Sequence, residues 1–198
     1  PFSVISIDGG EAVLDALTAT APLALNVGPG HDVAISGEII APALKLTTAG
    51  GDILQPFQTK SDFDSSQLVD GFDFLTWQRG HGATDALRAA GDANGDGSVN
   101  NDDLVIWNAE YGNHGNRIVT NELLVMTAGG GASLDALNRV TTVAADAGAG
   151  EFRLNNEIDI TVGAVTVTGM SFSGIRADAA KLSTDASVGQ NAGAVVDA

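Results

Sequence analysis

The chain of 198 residues has no cysteine, five prolines, one tyrosine and nine Lys plus Arg. Without cysteine there are no disulfides and no thiolate metal sites. Nine bases against 25 acids give a formal net charge of −16. That excludes a nucleic-acid or anionic-membrane partner, because each needs a basic footprint. No apolar run is long enough to span a bilayer, so membrane insertion is not expected. The opening PFSVISIDGG has neither an initiating Met nor a signal-peptide pattern, which fits a mature product or a piece of a longer polypeptide. Charged residues are only 17% against 44% hydrophobic, which argues against wholesale disorder. Glycine, by contrast, is abundant at 25. With so little proline, this suits a fold of many tight corners.

What is present is repetition. IIAPALKLTTAGG (residues 39–51) lines up with IVTNELLVMTAGG (118–130) and with IRADAAKLSTDAS (175–187), and more loosely with LTATAPLALNVGPG (17–30). The shared unit is an apolar residue, a small or polar corner, x-L-x-L-x-T, then a turn. Its alternation is that of a half-buried strand, and DITVGAVTVTGMSFSG (159–174) has the same two-residue period. Short strands with Gly or Asn at their corners predict a mainly β fold: a parallel β-helix or β-solenoid of about 20–25 residues per coil.

Between residues 57 and 116 the texture changes. Both tryptophans and the tyrosine lie here, with ten acids against three bases. DFLTWQR and DDLVIWNAEY have helical spacing, and ATDALRAAG predicts a short helix ended by Gly. The expected organisation is solenoid over 1–56 and 117–198, with a small α-helical module at 57–116 inserted at a corner.

That module holds two oxygen-rich loops. In GDANGDGSVNNDD, Asp92, Asn94 and Asp96 occupy positions 1, 3 and 5 of an EF-hand-type loop. Gly97 is at the sharp turn, Ser98 offers a carbonyl at 7, Asn100 sits at 9 and Asp103 at 12. Calcium takes six to eight oxygens, and alternate side chains on a tight loop bring them to one point. Thirty residues earlier, Asp62, Asp64, Ser66, Asp70 and Asp73 fall at positions 1, 3, 5, 9 and 12, with the Leu68 carbonyl at 7. Gln67 stands where glycine is wanted, so this is expected to be the weaker of two Ca2+ sites. The bland alternative is a pair of Asx-rich turns that cap helices.

The stretch SDFDSSQLVDGFDFLTWQRGHG…GDANGDGSVNNDDLVIWNAEYG resembles a type I dockerin over about residues 60–113: two loop–helix calcium halves joined by a linker helix. With its tryptophans it is most similar to the dockerin-like modules of planctomycete surface proteins. The resemblance implies two calcium ions, extracellular placement and, often, a cohesin-like partner. The recognition positions 10 and 11 are here Gly71–Phe72 and Asn101–Asp102. The flanking LLVMTAGGGASLDALNRVTTVAADAGAGEFRLNNEIDITVGAV resembles repeats of filamentous-haemagglutinin-type and autotransporter-like surface proteins, which implies a structural or adhesive role.

Polysaccharide lyases and hydrolases also use parallel β-helices, and they need clustered acids. Here the flanking acids are scattered. Glu157 and Asp159, two apart, would share one face of a strand, and a solvated edge is the reading favoured for them. His31, His81 and His114 each sit beside glycine and lack zinc spacing. No Ser–His–Asp order, P-loop or dinucleotide fingerprint stands out. The expectation is therefore a non-enzymatic extracellular structural or adhesive surface protein. Its strand-like, uncapped ends suggest either that flanking polypeptide continues the stack or that subunits associate end to end into a fibre. The alternative is a polysaccharide-active or accessory protein anchored to a cohesin scaffold.

Overall fold

A computed structural model describes residues 2–56 and 59–198. The chain divides into two compact units, Pro1–Pro56 with Asn116–Ala198, and Phe57–Gly115. The protein is mainly β, with 45% strand and 12% helix, and its parallel sheet is nearly closed. Among the described residues, no helix is long and apolar enough to cross a membrane.

In the first unit the strands before the interruption are β1 (Ser3–Ile7), β2 (Ala12–Leu14), β3 (Leu17–Thr18), β4 (Leu23–Pro29), β5 (Val33–Ile35), β6 (Ile39–Ile40), β7 (Ala43–Ala49) and β8 (Ile53–Leu54). After it come β9 (Ile118–Met126), β10 (Ala132–Asp146), β11 (Glu151–Asn156), β12 (Ile160–Val162), β13 (Ala164–Val167) and β14 (Met170–Ser173). The last are β15 (Ile175–Arg176), β16 (Ala179–Thr184), β17 (Val188–Gln190) and β18 (Val196–Asp197). All but β13 and β14 join one sheet. The 15-residue β10 links its two faces: its start pairs with β8 and β11, its end with β9, β12 and β15.

The pairing steps by 18–22 residues wherever neither the interruption nor the β13–β14 hairpin intervenes, and by 28–30 across that hairpin. Ser3 lies beside Leu23 (23 − 3 = 20) and Leu123 beside Val143 (143 − 123 = 20). Leu44 lies beside Leu123 (123 − 44 = 79), and the 59 residues of Phe57–Gly115 account for the excess over 20. Like therefore stacks on like. Leu23, Leu44, Leu123, Val143 and Val162 form one column, each no more than 3% exposed. Val33, Ile53, Ala132 and Phe152 form a second on the other face. Each large apolar side chain so buried contributes roughly 1.5–3 kcal/mol.

Corners pack as tightly. A β-carbon at Gly130 would lie 2.2 Å from the Gly51 carbonyl oxygen, and one at Gly150 would lie 2.1 Å from that of Gly130. A second corner is lined by buried amides. Asn138 Nδ2 donates to the carbonyls of Ala136 (2.8 Å) and Asn155 (3.0 Å), while its Oδ1 accepts from the Ile118 N–H (2.7 Å) and Gln55 Nε2 (2.9 Å). Gln55 Nε2 also reaches the Asn116 carbonyl (2.6 Å), and Asn116 Nδ2 reaches those of Ile35 (2.6 Å) and Pro56 (2.5 Å). The two ends of the interruption are thus clasped together within the first unit.

Three expectations change. Residues 159–174 continue the stack only in part. β12 does, but β13 and β14 form an antiparallel hairpin whose turn, Thr168 (φ 53°) and Gly169 (φ 82°), has the two positive φ angles of a type I′ turn. Val165 and Val167 of this hairpin cover Ala43, Leu124 and Ala144 on the outer face of the sheet. Residues 175–187 do not stack on 118–130 as one piece: Ile175 pairs with Ala145, but Leu182 pairs with Leu154 on the other face. Glu157 and Asp159 lie outside any strand, where Glu157 pairs with Arg139 (3.2 Å) and Asp159 accepts the Ser187 N–H (2.9 Å).

In the second unit, α1 (Gly71–Gly80) and α2 (Asn101–Glu110) stand 30 residues apart. Phe63, Trp77, Ala93 and Val99 form its core, with Phe74, Leu104, Ile106 and Trp107 against it. ATDALRAAG does not form the expected helix. Asp85 takes φ 55°, and Ala83 and Val99 are joined by a backbone hydrogen bond. Only the 3-10 turn Arg88–Ala90 remains, closed by Gly91 at φ 108°.

Candidate metal centre

The two loops of the second unit are copies in structure. From 61 to 76 and from 91 to 106, each residue has the same burial class as its counterpart 30 positions on. Asp62 and Asp73, like Asp92 and Asp103, are at most 4% exposed, whereas Asp64, Asn94 and Asp96 face solvent.

The buried acids hold the loops by accepting backbone N–H groups. Asp62 accepts from Ser66 (3.0 Å) and Gln67 (2.9 Å); Asp92 accepts from Gly95 (2.8 Å) and Gly97 (2.9 Å). Asp73 Oδ1 takes the Phe63 N–H (2.6 Å) and its Oδ2 that of Asp70 (2.8 Å). Asp103 does the same with Ala93 (2.9 Å) and Asn100 (2.8 Å). Position 9 starts the helix in both halves: Asp70 caps the Phe72 N–H (2.7 Å) and Asn100 that of Asp102 (2.7 Å). The bland reading of helix-capping Asx turns thus describes part of what these residues do. A carboxylate oxygen has two lone-pair sites, so accepting one N–H leaves it able to face a cation.

The halves also exchange contacts. Trp77 Nε1 donates to the Asn100 carbonyl (2.8 Å), and Trp107 Nε1 to that of Asp70 (3.0 Å). Trp77 meets His81 edge-on at 5.1 Å, and Trp107 meets Tyr111 likewise at 5.1 Å. Each helix therefore fixes the start of the other.

The halves differ at two corners. Gly95 (φ 78°) and Gly97 (φ 83°) in the second loop correspond to Ser65 (φ 60°) and Gln67 (φ 69°) in the first. Left-handed backbone is strained for a residue with a β-carbon. Gln67 Oε1 is buried and has no hydrogen-bond partner among the described residues.

Asp62, Asp64 and Asp73 bring one carboxylate oxygen each within 4.8 Å of one another, a separation suited to a shared cation. Burial pushes the Asp62 carboxyl up to about 6. The N–H groups of Gln67 and Ser66 oppose this, and the Asp64 and Asp73 carboxyls add to it. Burial also raises Asp73, against the N–H groups it accepts. Acids gathered out of water resist ionising together, and a divalent ion would remove that penalty. The third position of the second loop is an amide, Asn94, whose Nδ2 donates to Asp96 Oδ2 (3.0 Å). Ser66 Oγ donates to the Leu68 carbonyl (3.1 Å), and the Ser98 N–H to Asp96 Oδ1 (2.8 Å). The carboxylates Asp62, Asp64 and Asp73 offer hard oxygens, which suit a hard cation rather than a softer metal.

Two supports of the loops lack a sequence signal. Glu110 Oε2 accepts the N–H groups of Lys60 and Ser61 (2.9 Å each) and the Ser61 hydroxyl (2.6 Å). Arg88 donates to the carbonyls of Thr59, Lys60 (2.9 Å) and Asp62 (3.0 Å). Comparison with protein-family models, with curated proteins and with solved structures gives no match.

Proposed function

We propose that the segment 57–116 is a dockerin-like module that binds two calcium ions, lodged in a parallel β-solenoid of a non-enzymatic, extracellular structural or adhesive surface protein. The observation that carries this reading is the duplicated loop: Gln67 to Asp62 and Phe63 to Asp73 recur 30 residues on as Gly97 to Asp92 and Ala93 to Asp103. Seven loop carboxylates (Asp62, Asp64, Asp70, Asp73, Asp92, Asp96 and Asp103) repel one another in the metal-free chain, so calcium stabilises the folded module by mass action. The recurring step of about 20 residues supports the solenoid, and the partly buried Ile5, Leu14 and Leu182 on the edge strands β1, β2 and β16 support end-to-end stacking. The test is a chelator melt at fixed ionic strength. EDTA is expected to unfold residues 60–113 while the sheet signal persists, and calorimetry is expected to show two calcium ions bound. No heat on calcium addition and an unchanged spectrum on chelation would overturn the reading.

One observation favours a second reading, in which the module anchors a polysaccharide-active or accessory protein to a cohesin-like partner. Phe72, at a recognition position of the resemblance, is 68% exposed, and Leu75 beyond it on α1 is 40% exposed. Capture by immobilised cohesins, lost in Phe72→Ala, would separate this from a purely structural role.

A further inference from the structure

Asn94–Gly95 is the one Asn–Gly pair in the chain, and it lies in the second loop at a candidate ligand position. This pairing is chemically labile. The Gly95 backbone nitrogen attacks Cγ of Asn94, a new N–Cγ bond closes a succinimide, and the Cγ–Nδ2 bond breaks with loss of ammonia. Water then opens the ring at either carbonyl to leave an aspartyl or an isoaspartyl linkage. No oxidant or enzyme is needed. Glycine favours the closure because no β-carbon hinders the approach.

The folded loop opposes each part of that step. The Gly95 N–H donates to Asp92 Oδ1 at 2.8 Å. An anion accepting that hydrogen disfavours the proton loss on which the attack depends. The Asn94 carboxamide is held at both ends: Oδ1 accepts the Asp96 N–H (2.8 Å), and Nδ2 donates to Asp96 Oδ2 (3.0 Å). Asn94 is exposed, so water reaches it freely and the restraint is this hydrogen bonding rather than burial. The first loop has Asp64–Ser65 at the corresponding place and no amide to lose.

We propose that Asn94 is a latent deamidation site, masked by the closed loop and released when the loop opens. Release turns the amide at this position irreversibly into a carboxylate. The isoaspartyl product also adds a backbone atom to a loop whose spacing is set by hydrogen bonds to Asp92 and Asp103. This holds whether or not calcium binds, and it goes beyond the metal reading.

The test uses the unmodified full chain in two arms at neutral pH. One is folded in calcium-containing buffer, with the module's fold followed by tryptophan fluorescence. The other is unfolded in urea. Peptide mapping follows conversion at each asparagine over days. In urea, Asn94 is expected to convert ahead of every other asparagine. In the folded arm its rate is expected to fall at least about tenfold, the reduction that local opening as the required step would give. Equal rates in both arms, or another asparagine reacting first in urea, would overturn the proposal. Failure of the metal reading shows instead as absent calcium heat, with the two rates still different.

Discussion

Replacing Gln67 by glycine should stabilise the second unit, and the reverse change, Gly97→Gln, should weaken it. Gln67 holds φ 69° and its Oε1 is buried without a partner among the described residues. Left-handed backbone costs about 1–2 kcal/mol for a residue with a β-carbon. An unpartnered buried oxygen costs about 1–3 kcal/mol. Against these stands the greater chain entropy that glycine loses on folding, about 0.5–1 kcal/mol. The balance is a gain of at least about 1 kcal/mol, which for a unit of this size is a rise of about 4 °C or more in midpoint. Gly97, at φ 83°, has only the Asp85 Cα at 4.0 Å from where a β-carbon would sit, so the cost of Gly97→Gln is one of backbone rather than collision. Both tryptophans lie in this unit, so fluorescence melts at fixed calcium report on it alone. A lowered midpoint for Gln67→Gly, or an unchanged one for Gly97→Gln, would refute the reasoning.

Proton linkage supplies a second prediction. Burial pushes the Asp62 carboxyl in the fold up to about 6, above its ordinary value of 3.8. In the metal-free chain its contribution favours the fold below 3.8 and is lost as pH rises through about 6. Calcium needs the carboxylate, so affinity measured by titration calorimetry should hold at neutral pH and drop as pH falls through about 6. In the first unit, Asn138→Ala strips partners from Gln55 and the Ile118 N–H. Urea unfolding should show a loss of about 3–5 kcal/mol, since each orphaned buried group costs about 1–3 kcal/mol. Gly130→Ala, which sets a β-carbon 2.2 Å from the Gly51 carbonyl oxygen, should destabilise that unit in the same assay by about 2 kcal/mol or more, the scale of overpacking in a tight core.

The mainly β character was legible because apolar alternation survives wherever a strand has one buried face. The match of 39–51 to 118–130 even carried the register: Ile39 lies beside Ile118, Leu44 beside Leu123 and Leu46 beside Val125. The same pattern misplaced 175–187, because x-L-x-T fits either face of the sheet, and pattern alone names a face but no neighbour. For that reason too, alternation could not tell the β13–β14 hairpin from a parallel strand, although Thr168–Gly169 is the local cue. The loop residues could be placed because each must sit at a set spacing. Glu110 and Arg88 could not, since a side chain that reaches back some 26 to 50 residues to a carbonyl or N–H leaves no periodic trace. The buried amides Asn116, Asn138 and Asn156 carry no signal beyond asparagine's general place at corners. That their side chains are buried and bonded is a property of stacked neighbours rather than of any one corner.

With the 59 residues of the detour discounted, the step across the interruption (79 − 59 = 20) falls within the 18–22 of the other coils, and Gln55 and Asn116 tie the chain's departure and return side by side. The sheet therefore has no stake in what the detour contains. A graft of a different domain between Pro56 and Asn116, or a short bridge in its place, should leave every rung in register. On this view the corner is a mounting point: it carries a passenger whose chemistry can change without altering the scaffold that presents it.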